Sequence, residues 1–189
     1  MVLAGGCTAA SRPTLPTSEQ GRSDLIKAAQ LTLVKRCLTS RGAAGPPPDE
    51  KALFGTGPAE LSLTLATGYT VRAHTDGCLA QAQRFLYGDQ ARWFRAEVTV
   101  DNLRAEAEAR LGKDPAYRAA LARRAACPDG DTRCVRASGL DELRARLEPA
   151  QLAEVRAAHR NEITTYRRLR DHALRRAADL PADPPPERP

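Results

Sequence analysis

Apolar residues recur every three or four positions along most of the chain, which is the spacing of one buried face of an α-helix. The pattern predicts a mainly α fold of five to six helices, at about 24–41, 77–88, 90–111, 114–127, 140–147 and 149–179. A β-branched run near the middle of the third helix predicts a kink close to Asp101. The last helix is the longest, with the apolar line Leu152, Val155, His159, Ile163, Tyr166, Leu169, Ala173 and Ala177.

Side chains that cap helices indicate where several of these helices begin. Ser23 or Asp24 is placed to cap the first helix, and Thr75 or Asp76 is placed to cap the second. Proline fits the first turn of a helix, so Pro149 is expected to open the last one.

The segment near 61–73 has a different period. Leu61 and Leu63 alternate with polar residues, and the alternation resumes at Val71 after a turn in which Gly68 suits a left-handed conformation. This pattern predicts a short β-hairpin. Two strands alone are marginally stable, so we expect the hairpin to lie on the helices.

Composition divides the chain into four parts. Residues 8–22 are rich in Thr, Ser and Pro and are typical of a flexible tether. Residues 23–180 carry the periodic pattern and form one predicted helical domain, while the Pro-rich residues 181–189 form a predicted disordered tail. Residues 1–7 read as the end of a truncated signal peptide.

Cys7 follows the sequence LAGG, which resembles the end of a bacterial lipoprotein signal. In such signals, small residues precede a Cys whose thiol receives a diacylglyceryl group, and two acyl chains suffice for stable membrane attachment. The charged segment and most of the apolar segment that would come first are absent, and we expect either a start codon assigned too late or a chain trimmed at its N-terminus. The alternative is an ordinary N-terminus that contains a cysteine.

The chain has five cysteines, and an odd number suggests that one has a separate role. If Cys7 is lipidated, Cys37, Cys78, Cys127 and Cys134 can form two disulfides in an oxidising compartment. Three connectivities are possible, and we favour Cys37–Cys78 with Cys127–Cys134 because each pair joins neighbouring elements. The spacing of these cysteines does not match a structural zinc site, so we expect no metal.

The net charge is +6, and 25 of the 29 basic residues are Arg. An Arg excess of this kind is typical of a GC-rich genome and does not by itself predict nucleic-acid binding. On the last helix, Arg168, His172, Arg175 and Arg176 fall close together. They form either a solvated face with pairs such as Asp171–Arg175, or a contact surface for anionic lipid head groups or envelope polymers.

The sequence contains no motif of a hydrolase, a nucleotide-binding loop or a metalloprotease. His159 reads as a hydrogen-bonded core residue, His172 as part of a solvated face, and His74 with Asp76 as a turn and cap. We therefore expect no enzymatic activity and no cofactor.

Several stretches resemble a family of uncharacterised, secreted, actinobacterial-type lipoproteins. They are LVKRCLTSRG (33–42), FGTGPAEL (54–61), TGYTVRAHTDGCLAQAQRFLYGD (67–89), DPAYRAALAR (114–123) and GLDELRARLEP (139–149). The resemblance implies an extracytoplasmic location and a helical, cysteine-containing domain, and it implies no activity.

Two functional classes follow from these observations. The first is a lipoprotein on the extracytoplasmic face of the cell membrane, with a non-catalytic helical domain that binds an unknown envelope protein or polymer. The second is a cytoplasmic, basic helical protein that binds nucleic acid, in which Cys7 is incidental.

Overall fold

The computed structural model describes residues 15–181, and within that range the fold is mainly helical with one two-stranded hairpin. The helices are α1 (Glu19–Ser40), α2 (Glu50–Phe54), α3 (Cys78–Tyr87), α4 (Gln90–Asp101), α5 (Leu103–Leu111), α6 (Pro115–Ala125), α7 (Thr132–Ala137), α8 (Leu140–Ala158) and α9 (Arg160–Ala178). The predicted fold class is confirmed, but the described residues form nine helices rather than five to six.

The first helix begins earlier than the predicted caps at Ser23 and Asp24. Its N-cap is Ser18, whose hydroxyl accepts the backbone N–H of Gly21 at 3.1 Å. The Ser23 hydroxyl instead donates to a backbone carbonyl inside the helix. Residues 19–22, predicted as tether, are therefore helical.

The predicted helices at 140–147 and 149–179 are instead α8 and α9, which divide at His159 and not near Pro149. Pro149 lies inside α8 rather than at a helix start, and the chain turns at His159 between α8 and α9. A proline inside a helix removes one backbone hydrogen bond, and the packing of α8 along α5 offsets that loss. The apolar line continues through both helices, so its period gave no sign of the break.

The third predicted helix is also divided. The chain leaves helical geometry at Asn102, whose side-chain amide donates to the carbonyl of Val98 at 2.7 Å. This side chain competes with the backbone for an acceptor and ends α4, one residue beyond the kink predicted near Asp101.

Two helices were missed because each is too short to show a period. Each begins at an aspartate that accepts two backbone N–H groups: Asp49 caps α2, and Asp131 caps α7. The capping aspartates are the sequence feature from which these two helices could have been predicted.

The hairpin pairs β1 (Leu61–Thr64) with β2 (Thr70–Ala73) in antiparallel register, with Leu63 opposite Val71. Its turn contains Gly68 at φ 86°, the left-handed conformation that the sequence predicts there. The hairpin lies against α4, as expected for two strands that cannot be stable alone.

Three groups of buried side chains hold the helices together. The largest joins α1, α3, α4 and α9 through Ile26, Ala29, Leu86, Tyr87, Trp93, Leu169, Ala173, Leu174 and Ala177. A second surrounds Cys37 and Cys78, and a third joins α5 to α8 through Leu103, Ala107 and Val155. No helix in the described range is long and apolar enough to cross a membrane.

Candidate functional site

Cys7, the predicted lipidation site, lies outside the described residues. The other four cysteines form the disulfides Cys37–Cys78 and Cys127–Cys134, which is the favoured connectivity. The first joins α1 to the start of α3 and is part of a buried cluster, and the second closes the loop between α6 and α7.

The turn before α3 holds a neighbouring loop in place. Neither Thr75 nor Asp76 caps α3, contrary to the prediction, because the N-cap residue is Gly77. The Asp76 carboxylate instead accepts the backbone N–H groups of Thr56 and Gly57, both at 2.9 Å. These hydrogen bonds lower the pKa of Asp76. The Asp76 carboxylate therefore joins the turn before α3 to the loop at residues 56–57, and its role is structural.

The three histidines lie at separate places in the fold, and the contacts seen for His74 and His159 are structural ones. His74 forms a hydrogen bond with the carbonyl of Gly57 at 2.7 Å, in the loop that Asp76 also contacts. His172 is half-buried on α9. His159 contacts Glu106 at 2.8 Å with 29% of its side chain exposed, so it fixes the α8–α9 corner rather than packing in the core as predicted. Burial would raise the pKa of Glu106, but the hydrogen bonds that it accepts lower it overall.

The predicted basic face of α9 is exposed at Arg168, Arg175 and Arg176. The Asp171–Arg175 pair predicted for a solvated face does not form, because Asp171 contacts Arg22 of α1 at 2.7 Å. Within residues 15–181, Arg168 and Arg175 have no carboxylate within ion-pair distance.

An exposed aromatic ring extends this basic face. The guanidinium of Arg176 lies 4.2 Å from the ring centre of Phe85 on α3, in cation–π geometry, and 38% of Phe85 is exposed. The arrangement places an exposed ring against Arg176, at one side of the basic face.

Aromatic rings stack where α3, α4 and α9 meet. The ring centres of Tyr87 and Trp93 are 3.6 Å apart, and the ring of Tyr166 also stacks on Trp93, with a centre-to-centre distance of 5.3 Å. Glu97 lines a small pocket beside them, where burial, reinforced by the nearby Asp101 carboxylate, raises its pKa to about 7. The periodicity predicted the buried Trp93 but gave no sign of this carboxylate.

The main cavity of the described region is a cleft of about 950 Å³ between the start of α1, the α4–α5 junction, α8 and α9. This volume falls within the range of small-molecule binding sites. Its apolar surface comes from Ile26, Val100, Leu103, Leu152, Ile163, Tyr166 and Leu174. The cleft was not predicted, because it depends on the breaks at Asn102 and His159.

The walls of the cleft are charged. Arg22, Arg104 and Arg170 each contact a carboxylate that also lines the cleft, with partners Asp171, Glu148 and Glu19. Arg156 and Arg167 also line it, and neither has a carboxylate within ion-pair distance in the described part of the chain. Asp101 is the remaining acid of the lining, and burial raises its pKa.

Among residues 15–181, no three His, Cys, Asp or Glu side chains are grouped so that they could hold a metal ion. No family model matches the chain, and no curated protein or solved structure matches it either.

Proposed function

We propose that this protein is a lipid-anchored component of the extracytoplasmic face of a cell membrane. Its diacylglyceryl group would be carried by Cys7, and its helical domain would act by binding a component of the envelope rather than by catalysis. The resemblance to secreted lipoproteins supports the same location.

The observation that carries this proposal is the pairing of the four later cysteines with one another. Both disulfides close within the domain, which is the arrangement typical of proteins in oxidising compartments. The pairing leaves Cys7 as the thiol available for acylation, directly after the small residues that such processing requires.

The distribution of arginine contacts favours this proposal over a nucleic-acid-binding role. A nucleic-acid surface needs basic side chains that are free to neutralise phosphates. Many arginines of the described chain instead contact carboxylates, among them Arg22, Arg92, Arg104, Arg110, Arg124, Arg144 and Arg170.

The basic face of α9 is the part of the domain suited to an anionic surface. Arg168 and Arg175 lie two turns apart, and Arg176 covers the exposed ring of Phe85. Basic side chains next to an exposed aromatic ring suit the head-group region of a membrane that contains anionic lipids.

Localisation tests the anchor directly. The gene is expressed from its own locus in the native host, with any in-frame sequence upstream of Met1 retained, as the wild type and as Cys7→Ser, and membrane and soluble fractions are compared. The wild type should be in the membrane fraction, and Cys7→Ser should lose both lipid attachment and signal cleavage. A wild-type protein that is found in the cytoplasm, without lipid and bound to nucleic acid, would overturn the proposal.

Vesicle binding tests the basic face. The unlipidated chain should bind vesicles rich in phosphatidylglycerol, and the double variant Arg168→Gln/Arg175→Gln should bind them more weakly and with a smaller salt dependence. A matched control is Arg133→Gln/Arg136→Gln, which removes two exposed arginines of α7. Equal losses in the two variants would show that net charge, and not this face, governs binding.

A further inference from the structure

The cleft between α1, α8 and α9 combines an apolar floor with cations that no carboxylate of residues 15–181 neutralises. It opens between two of the buried clusters, so its floor consists of side chains at their edges, such as Ile26 from one and Ile163 from the other. Ile26 is buried by the protein. Ile163, Leu152 and Val100 are only partly buried and leave apolar surface for a ligand to cover.

The walls define the charge of a suitable ligand. The ion pair between Arg22 and Asp171 has an N–O distance of 2.7 Å, and that between Arg104 and Glu148 has one of 2.9 Å, so these cations are already neutralised. Arg156 on α8 and Arg167 on α9 lack such partners among the described residues. Two guanidinium groups that no carboxylate of the described chain pairs with, beside an apolar floor, suit a molecule with one anionic end and one apolar end.

The position of the cleft along the chain indicates where such a ligand would come from. Glu19 and Arg22, in the first turn of α1, line the cleft. Cys7 lies twelve residues before Glu19, and twelve extended residues span at most about 40 Å. A chain anchored at Cys7 would therefore hold the cleft within about 40 Å of the membrane surface.

We propose that this cleft binds a single-chain membrane amphiphile with an anionic head group, such as a long-chain fatty acid. The apolar chain would lie on the floor of the cleft, and Arg156 and Arg167 would bind the head group. The inference deepens the proposed function, because the lipid anchor explains access to the ligand. The binding site itself is inferred from the shape and the charges of the cleft, and not from the anchor.

The test is a fluorescence titration of the full chain, carrying Cys7→Ser, with a long-chain fatty acid that has a fluorophore at its chain end. Three proteins are compared: the parent, Arg156→Gln/Arg167→Gln, and the control Arg133→Gln/Arg136→Gln on α7. Both double variants remove two exposed arginines without ion pairs in the described chain, so they have the same net charge. We expect saturable binding by the parent, at least tenfold weaker binding by the cleft variant, and unchanged binding by the control.

Two competitors separate this ligand from other occupants. The matching long-chain alcohol lacks the charge, so on the parent it should compete more weakly than the unlabelled acid for the site. On the cleft variant, the alcohol and the unlabelled acid should compete equally well. A short-chain carboxylate should not compete. The inference is overturned by the absence of saturable binding, by equal losses in the two double variants, or by a short-chain carboxylate that competes as well as the long-chain acid.

The outcome is independent of the anchor, because the protein in the titration carries no lipid. A failed titration leaves the membrane localisation of the wild type intact, whereas a soluble wild type in the native host would refute the anchor and leave the binding result standing.

Discussion

The carboxyl group of Glu97 shows how the surroundings of one residue set its charge. It is partly buried beside the stacked rings of Tyr87 and Trp93, and this burial disfavours the charged form. Its pKa is raised from 4.5 to about 7, so folding takes up a proton at this site between those two values.

This proton uptake predicts a pH dependence of stability. Between pH 4.5 and about 7 the folded state binds more protons than the unfolded state, so the free energy of unfolding should fall as the pH rises through that window. The loss from Glu97 is up to about 3 kcal/mol and should be complete above pH 7. Glu97→Gln should remove it. Urea unfolding of both proteins across this range provides the comparison, and parallel pH profiles would show that the carboxyl is not buried as described.

A glycine is needed at position 77 because the backbone of α2 lies very close to it, and not because of its own backbone conformation. A Cβ atom at this position would lie 2.4 Å from the carbonyl carbon of Phe54 and 2.5 Å from the carbonyl oxygen of Leu53. Its φ of −80° is open to any residue, so the constraint is purely one of space.

We therefore expect Gly77→Ala to destabilise the fold by about 1–3 kcal/mol, because α2 must move away from α3. The control is Gly112→Ala, where the nearest atom to the new Cβ is 3.5 Å away and the backbone is helical. That change should be neutral or slightly stabilising. Thermal unfolding of both variants measures the contrast, and similar melting temperatures would contradict the contact between α2 and α3.

At the scale of elements, the two faces of α9 should respond differently to substitution. Tyr166 stacks on Trp93 and packs against the main cluster, so Tyr166→Ala should cost about 2–3 kcal/mol. The exposed pair Arg168→Gln/Arg175→Gln should cost less than about 0.5 kcal/mol. Chemical denaturation measures both. A large loss from the arginine pair, with none from Tyr166→Ala, would mean that the two faces are assigned the wrong way round.

The two disulfides join pairs of helices and should contribute unequally. Cys37 and Cys78 are 41 residues apart, whereas Cys127 and Cys134 are 7 apart. Because a longer closed loop restricts the unfolded chain more, replacing the first pair by Ala should cost about 4 kcal/mol and the second about 2.5 kcal/mol. Guanidinium unfolding of the two double variants gives the order, and a reversed order would show that the first bond is strained or that the unfolded chain keeps structure around it.

The elements that were predicted well from the sequence are those in which the polarity of each residue matches its burial. The hairpin follows from the alternation around Leu63 and the glycine at its turn, and the buried face of α9 follows from a helical period that includes Leu169 and Ala173. Short helices such as α2 and α7 make too few turns to show a period, and their aspartate caps were the signal that could have found them.

The sites that the sequence did not predict depend on contacts between distant residues. Arg22 was assigned to a tether, yet it pairs with Asp171 of α9, which the pattern alone would have paired with Arg175. The cleft requires the corner at His159, and the contact that fixes this corner comes from Glu106, 53 residues away. Local periodicity carries no record of such partners.

As a whole, the described molecule is a helical domain held by two disulfides, with a charged cleft beside α1, the helix nearest to Cys7 along the chain. The basic face of α9 and the cleft are separate surfaces, because Arg168 and Arg175 do not line the cleft whereas Arg167 does. One surface can therefore contact the membrane while the other holds a ligand, and the variants above alter them independently.

The most direct test of the central claim is intact mass spectrometry of the protein purified from membranes of its native host, with and without reduction. We expect a chain that begins at Cys7, carries a diacylglyceryl group, and gains four hydrogen atoms on reduction as its two disulfides open. A chain that retains the residues before Cys7, carries no lipid and has the same mass before and after reduction would contradict both the anchor and the oxidising compartment.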